Sequence, residues 1–312
     1  MKLKLKVIHS TNRMKSEISN DLREYLKKEN QYYEFVGVKD DPDFVLCHEF
    51  RIWKKACPAV IITNKPILTN IIVFDRFKLN NKTALRRLYL GTLSLKNTLD
   101  IPFIPGRAEK LINEYNVEFN KNFIYNKEGV IVICPNRHQS GWYSCNNSTL
   151  SSLEEIERNI KIIKENSNLN IEIRIHPQTH EYSLIKILDK YNITINTDDF
   201  DTLLKRSYCI IADRSSIATK MFLKGSIVFN FQNDYEHSII GRACVRNPKL
   251  LNPDNLLLDE IPSEEDRYNY LQFIATQTYT DYEINNGYFL ETLYPFLLKN
   301  KDKFTKLKEN FS

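Results

Sequence analysis

The chain has no run of 18 or more apolar residues among its 312, so no segment reads as a membrane-spanning helix. Its first residues, Met1-Lys2-Leu3-Lys4-Leu5-Lys6, alternate apolar and basic as a strand does and lack the apolar stretch of a signal peptide. A soluble cytoplasmic protein is expected, in the host cytoplasm if the source is a virus. Cysteines number only six, at positions 47, 57, 134, 145, 209 and 244, and none share CxxC spacing. That supports neither zinc nor a disulfide framework and leaves reduced, structural thiols. No metal and no cofactor are expected. A large charge excess is missing too: the net charge of +5 suits a phosphorylated small molecule or an anionic polymer and argues for neither. Glycine is scarce at eight residues and alanine is sparse beside Asn, Lys and Ile. Such a composition belongs to AT-rich genomes, those of many viruses and some bacteria, and speaks of codons rather than chemistry. No internal repeat occurs, and the only biased tail is the Lys-rich stretch 299–308.

What is present is a chain long enough for two cores, so two domains of roughly 120 to 180 residues are expected. Strand and helix signals alternate almost throughout. In the first part, strands are expected at 3–9, 32–38, 44–47, 60–63 and 71–74, with helices at 14–28, 82–96 and 106–115. The Asn- and Lys-rich stretch Asn116 to Gly129 reads as the separator, giving domains 1–122 and 123–312. In the second part, strands are expected at 130–134, 171–175, 193–195, 208–212 and 227–231. Helices at 152–165, 180–190, 199–206 and 215–224 lie between them. From Pro262 the signal is helical, broken near Tyr279-Thr280 and Gly287. Such alternation implies α/β domains with parallel sheets covered by helices on both faces.

Two motifs stand one βαβ unit apart, Arg174-Ile175-His176-Pro177 and Asp213-Arg214-Ser215-Ser216. Each follows a short apolar strand, which places it at the carboxyl edge of a parallel sheet, where open α/β folds bind ligands. Arg174 and His176 alternate with Ile173 and Ile175, so both leave the strand on one face. The second motif opens a helix, and free N–H groups, two hydroxyls and Arg214 there suit a phosphate. Ser215-Ser216 also reads as an ordinary N-cap.

In this order and near this spacing, His176-Pro177 and Ser215-Ser216 resemble the HP and SS motifs of sialyltransferases and capsule-polysaccharide Kdo transferases of the GT-B fold. The chain is still more similar to phage- and virus-borne relatives of those enzymes. The resemblance runs from about residue 130 to 290. It includes Pro135-Asn136-Arg137-His138-Gln139-Ser140-Gly141-Trp142, Gly225-Ser226-Ile227-Val228 and the segments Phe273 to Gln277 and Glu283 to Gly287, with weaker likeness around Asp75-Arg76. It implies two Rossmann-like doubly wound domains with C-terminal helices. It also implies transfer of a sugar from a nucleotide-sugar donor to a hydroxyl. Arg174, His176, Pro177, Arg214, Ser215 and Ser216 would hold the donor nucleotide and its phosphate, and Arg137, Gln139, Gly141, Trp142 and Arg76 would line the cleft. The chain departs from many GT-B enzymes in one respect: Lys220 stands nearest the position of the Glu that holds the donor ribose.

A base for direct displacement is expected from the first domain. Asp75, after the strand expected at 71–74, is the first choice, and Glu49 or His48, after Phe44 to Cys47, the second. The Asp40-Asp41-Pro42-Asp43 cluster precedes its strand and so belongs to the opposite edge. A carboxylate at a strand end also serves as a turn residue. The acceptor is a glycan or a hydroxymethylated pyrimidine in DNA. The other readings are a non-catalytic nucleotide or sugar-phosphate binding module and a nucleotide-sugar epimerase of the same fold.

Overall fold

A computed structural model of the chain describes residues 2–8, 31–35, 43–48, 67–72, 85–91, 103–135, 152–175, 184–212, 216–231, 244–280, 282–283 and 286–300. The chain divides into two compact units, one made of Met1–Arg107 with Phe273–Ser312, the other of Ala108–Gln272. Among the described residues no helix is long and apolar enough to cross a membrane.

The first unit holds a six-stranded sheet. Its strands are β1 (Leu3–Ile8), β2 (Tyr33–Phe35), β3 (Phe44–His48), β4 (Ile67–Ile72), β5 (Leu85–Gly91) and β11 (Thr278–Thr280), in the order β11-β5-β4-β3-β1-β2. β2, β1, β3 and β4 run parallel, while β5 is antiparallel to both β4 and β11. Two expectations change here. β4 already runs from Ile67, ahead of the expected residue 71, and 85–91, within the helix expected at 82–96, is the strand β5. Pairing on both sides outweighs the helical spacing of Leu85, Leu88 and Tyr89, because strand preference is set by cross-strand neighbours more than by the local chain. The helix expected at 14–28 and the strand at 60–63 lie outside the described residues.

The second unit carries a five-stranded, wholly parallel sheet. β6 (Val130–Ile133), β7 (Ile171–Ile173), β8 (Thr194–Ile195), β9 (Ser207–Ile211) and β10 (Val228–Phe229) lie in the order β10-β9-β6-β7-β8. α1 (Arg107–Asn113) leads into this unit. The crossovers contain α2 (Ser152–Asn166), α3 (Ile185–Tyr191), α4 (Phe200–Arg206) and α5 (Ser216–Lys224). Ile131, Ile133, Ile173 and Ile211 pack with Ile156, Ile160 and Ile163 of α2 and Leu188 of α3. The alternate residues Val132 and Ile210 are buried as well, as in a sheet covered on both faces. The expectation of a parallel sheet covered by helices holds for the second sheet, whereas the first is mixed, its β5 antiparallel to both neighbours.

The expected boundary at 122/123 differs from this division at both ends. Residues 116–129, read as a separator, hydrogen-bond at three points to the helix, turn and strand of the second unit. Asn120 N donates to the Leu223 carbonyl at 2.8 Å, Ile124 N to Gly225 at 2.8 Å and Asn126 N to Ser207 at 3.0 Å. Gly129 runs so close to the sheet that a Cβ there would stand 2.4 Å from the Arg206 carbonyl oxygen. Arg267, from α6 (Glu264–Gln277), adds a clamp: Nη2 donates to the Asn120 carbonyl at 2.6 Å, and the guanidinium lies over the Phe123 and Phe222 rings. Burial pulls its pKa down to about 10.

The C-terminal segment meanwhile returns to the first unit. β11 pairs with β5, and α7 (Tyr288–Asn300) buries a stripe of Phe289, Leu290, Leu293 and Leu297. There the Tyr33 hydroxyl donates to the Leu290 carbonyl at 2.5 Å.

Candidate functional site at the carboxyl edge of the second sheet

In the second unit the chain builds outward from β6 to β7 and β8, then crosses to the other side of β6 for β9 and β10. The strand order therefore reverses between β6 and β9, and open parallel sheets bind ligands at that reversal, beyond the carboxyl ends of the strands. The segment carrying Arg137 to Trp142 follows β6, the segment with Arg174 and His176 follows β7, and the segment ending in Ser215-Ser216 follows β9. These three strands are neighbours, and their ends are level. Ile133 pairs with Ile173 and with Ile211, Cys134 N donates to the Ile211 carbonyl at 2.8 Å, and Arg174 N donates to the Ile133 carbonyl at 2.9 Å. Three stretches far apart in sequence thus leave one edge side by side.

Of the expected site residues, Arg174 is described in full and Ser216 as the first residue of α5. Arg137, Gln139, Gly141, Trp142, His176, Pro177, Arg214, Ser215, Asp75, Arg76 and Glu49 lie outside the described residues. His48 ends β3. Asp43 sits where the sequence put it, at the amino edge of the first sheet, its carboxylate accepting from Lys4 N at 2.8 Å.

Arg174 is oriented by protein groups that the sequence reading missed. Its Nη1 donates to Asn196 Oδ1 at 3.0 Å and to the Asp198 carbonyl, and its guanidinium carbon stands 4.9 Å from the Phe200 ring centroid. Asn196, almost fully buried, passes its Nδ2 protons to Glu172 Oε2 at 2.7 Å and Asp198 Oδ2 at 3.1 Å. Arg206, at the end of α4, closes the network with two bonds to Glu172, 2.8 and 2.5 Å, and two to Asp198 Oδ2, 2.8 and 2.6 Å. Such forked pairs fix geometry as well as charge. The one local signal was the alternation of Glu172 and Arg174 with Ile171 and Ile173, which puts both polar residues on one face of β7. Beside Arg174, burial pushes the Cys134 thiol up to about 12 against the opposing pull of that guanidinium, so Cys134 is an inert packing thiol.

The network carries a pH signature. Hydrogen bonds from Arg206 are the largest cause holding both the Glu172 and Asp198 carboxyls below their ordinary values, while burial works the other way. A carboxylate with a depressed folded pKa stabilises fully above its unfolded value and loses that contribution as pH falls through the folded one. The unfolded values are about 4.5 for Glu172 and 3.8 for Asp198. The urea midpoint of the second unit is therefore expected to fall more steeply below those values in the wild type than in Arg206→Met, whose two carboxylates lose their partner. Parallel midpoint–pH curves for the two proteins would refute the assignment.

No family model and no curated protein matches the chain. Among solved structures it is similar to Thermosulfurimonas dismutans KpsC, a beta Kdo 2,7 transferase, at 11% identity over 86% of this chain and 98% of that one, with a TM-score of 0.45. It is similar to S. aureus MnaA in its UDP co-structure, at 12% identity over 94% and 98% of the two chains, with a TM-score of 0.35. It is also similar to a variant of the wall teichoic acid polymerase TagF soaked with CDPG, at 12% identity over 96% and 89%, with a TM-score of 0.30.

Proposed function

We propose that the chain is a glycosyltransferase, inverting and metal-independent, that moves a sugar from a nucleotide-sugar donor to a hydroxyl. The observation that supports this reading is the adjacency of β9, β6 and β7 at the strand-order reversal, the three strands that the segments bearing Ser215-Ser216, Gly141-Trp142 and His176-Pro177 follow in the sequence. The resemblance of those motifs to the HP and SS motifs supplies the substrate class. The chemistry follows from charge. Departure of the nucleotide builds negative charge on a phosphate oxygen, and donors already in place lower that barrier without reorganising. The start of α5, the hydroxyls of Ser215 and Ser216, His176 and Arg214 are the donors assigned to that task. Arg174, tied to Asn196 and Asp198, is assigned to shaping the edge from the β7 side.

The test is a thermal-shift screen of the full chain against CMP, UDP, GDP, ADP and their common sugar conjugates, repeated with Ser215→Ala/Ser216→Ala and with His176→Ala. One nucleotide class is expected to stabilise the wild type and to lose its effect in the variants. No shift with any nucleotide would sink the reading. Stabilisation without turnover on any glycan or hydroxymethylated DNA would make the chain a binding module. With turnover, a duplex acceptor betrays itself by steep salt dependence and a glycan by its lack.

A further inference from the structure

Among the described residues the Arg174 side chain donates through one nitrogen: Nη1 bonds Asn196 Oδ1 at 3.0 Å and the Asp198 carbonyl. Nε and Nη2 meet no acceptor there, yet they are not sealed off as the orphaned Nε and Nη1 of Arg267 are. The Nε–Nη2 edge of a guanidinium is a fork that matches two oxygens of one phosphate. Here that edge belongs to the residue following β7, whose backbone N–H is bonded to the end of β6 beside the strand-order reversal. Asn196 decides which edge stays open. It is almost fully buried, and its own N–H is fixed on the Ile173 carbonyl at 2.8 Å. The Glu172 and Asp198 carboxylates only accept, so the amide must turn its Nδ2 protons to them, which leaves Oδ1 for Arg174. Arg206 fixes both carboxylates in turn. Two carboxylates thus offset two guanidiniums, and the open edge offers an oxyanion directed hydrogen bonds rather than an unpaired charge.

We infer that Asn196 is a positioning residue for donor binding: by holding Nη1 of Arg174 it presents the Nε–Nη2 edge to a phosphate of the nucleotide. The inference rests on the nucleotide-donor reading of the motifs. Isothermal titration of the full chain with CMP, UDP, GDP and ADP tests it, with urea unfolding of each variant alongside. Asn196→Ala is expected to weaken the nucleotide that the wild type binds by about tenfold, the scale of one hydrogen bond to a charged group. Asn196→Ser, a small polar replacement at the same buried position, is expected to do the same. Arg174→Met is expected to lose at least as much, and Arg174→Met/Asn196→Ala no more than Arg174→Met alone, because the amide acts only through the guanidinium. A merely structural amide would lower the urea midpoint and leave the affinity of the folded chain as it was. If Ser215→Ala/Ser216→Ala abolishes binding while both Asn196 variants bind as the wild type does, the inference fails and the nucleotide reading stands. If the losses from Asn196→Ala and Arg174→Met multiply in the double variant, Asn196 does not act through Arg174 and the inference fails in the same way. If the wild type binds none of the four nucleotides, both fail.

Discussion

Glu283→Ala is expected to lower the stability of the first unit by about 3–5 kcal/mol, the cost of leaving one half of a buried ion pair behind. The side chains of Arg107 and Glu283 are only 3% and 6% exposed. The carboxylate accepts from Arg107 Nη1 at 2.7 Å, from Nη2 at 3.2 Å and from the Thr280 N–H at 2.9 Å. Arg107 Nη2 also donates to the Thr278 carbonyl, and the guanidinium lies 4.8 Å from the centroid of the Tyr279 ring. Removing the carboxylate leaves a charged group in a site built around its partner and deprives Thr280 N of its acceptor. Glu283→Gln, which keeps the volume and one acceptor oxygen, loses less. A double change to Arg107→Met and Glu283→Leu recovers much of the loss, because both charges then leave the interior together. Urea unfolding should be followed with a separate probe in each unit, since a chain of two units need not unfold in one step. A loss below about 1 kcal/mol, the range of exposed pairs, would show that water reaches the guanidinium.

The same ion pair marks where sequence reading stopped. Within the second unit, local signals sufficed: β6 and β9 are short, mainly apolar runs buried on both faces, and β7 alternates two buried isoleucines with Glu172. α2 carries Ile156, Ile160 and Ile163 at helical spacing, and Asp199 caps α4. Strand ends could be placed well enough to show that the three segments expected to carry the motifs follow neighbouring strands. The first unit depends on partners remote in sequence. Leu85 to Gly91 becomes a strand because β4 lies on one side and Thr278-Tyr279-Thr280, from the far end of the chain, on the other. No window around residue 85 contains that information. The stretch 116–129 has the composition of a linker, yet its amides meet the carbonyls of Leu223, Gly225 and Ser207, which only the folded unit presents. At the site, Arg174 was legible from its position after β7. Asn196, Asp198 and Arg206, which hold it and its neighbours, follow two or more elements later.

Glu49→Gln is expected to lower kcat by about 10²- to 10⁴-fold, the range of a general base, with nucleotide binding unchanged. The sequence alone favoured Asp75, on the expectation that it directly closes a strand. β4's next neighbour is the antiparallel β5, so no reversal of strand order lies beside that end of β4. In the first sheet the strand order reverses between β1 and β3, where Ile8 pairs with Cys47, and β3 ends at His48, the residue before Glu49. On that topological rule we propose the segment after β3 as the source of the acceptor-side base. Asp75→Asn is accordingly expected to change kcat less than tenfold, which marks it as outside the proton transfer. His48→Ala separates two roles within the segment: a loss in kcat equal to that of Glu49→Gln, with a shifted acid limb in the pH–rate profile, would make His48 the base and Glu49 its orienting partner. A large kcat loss in Asp75→Asn together with wild-type behaviour of both β3-end variants would move the base to the segment after β4.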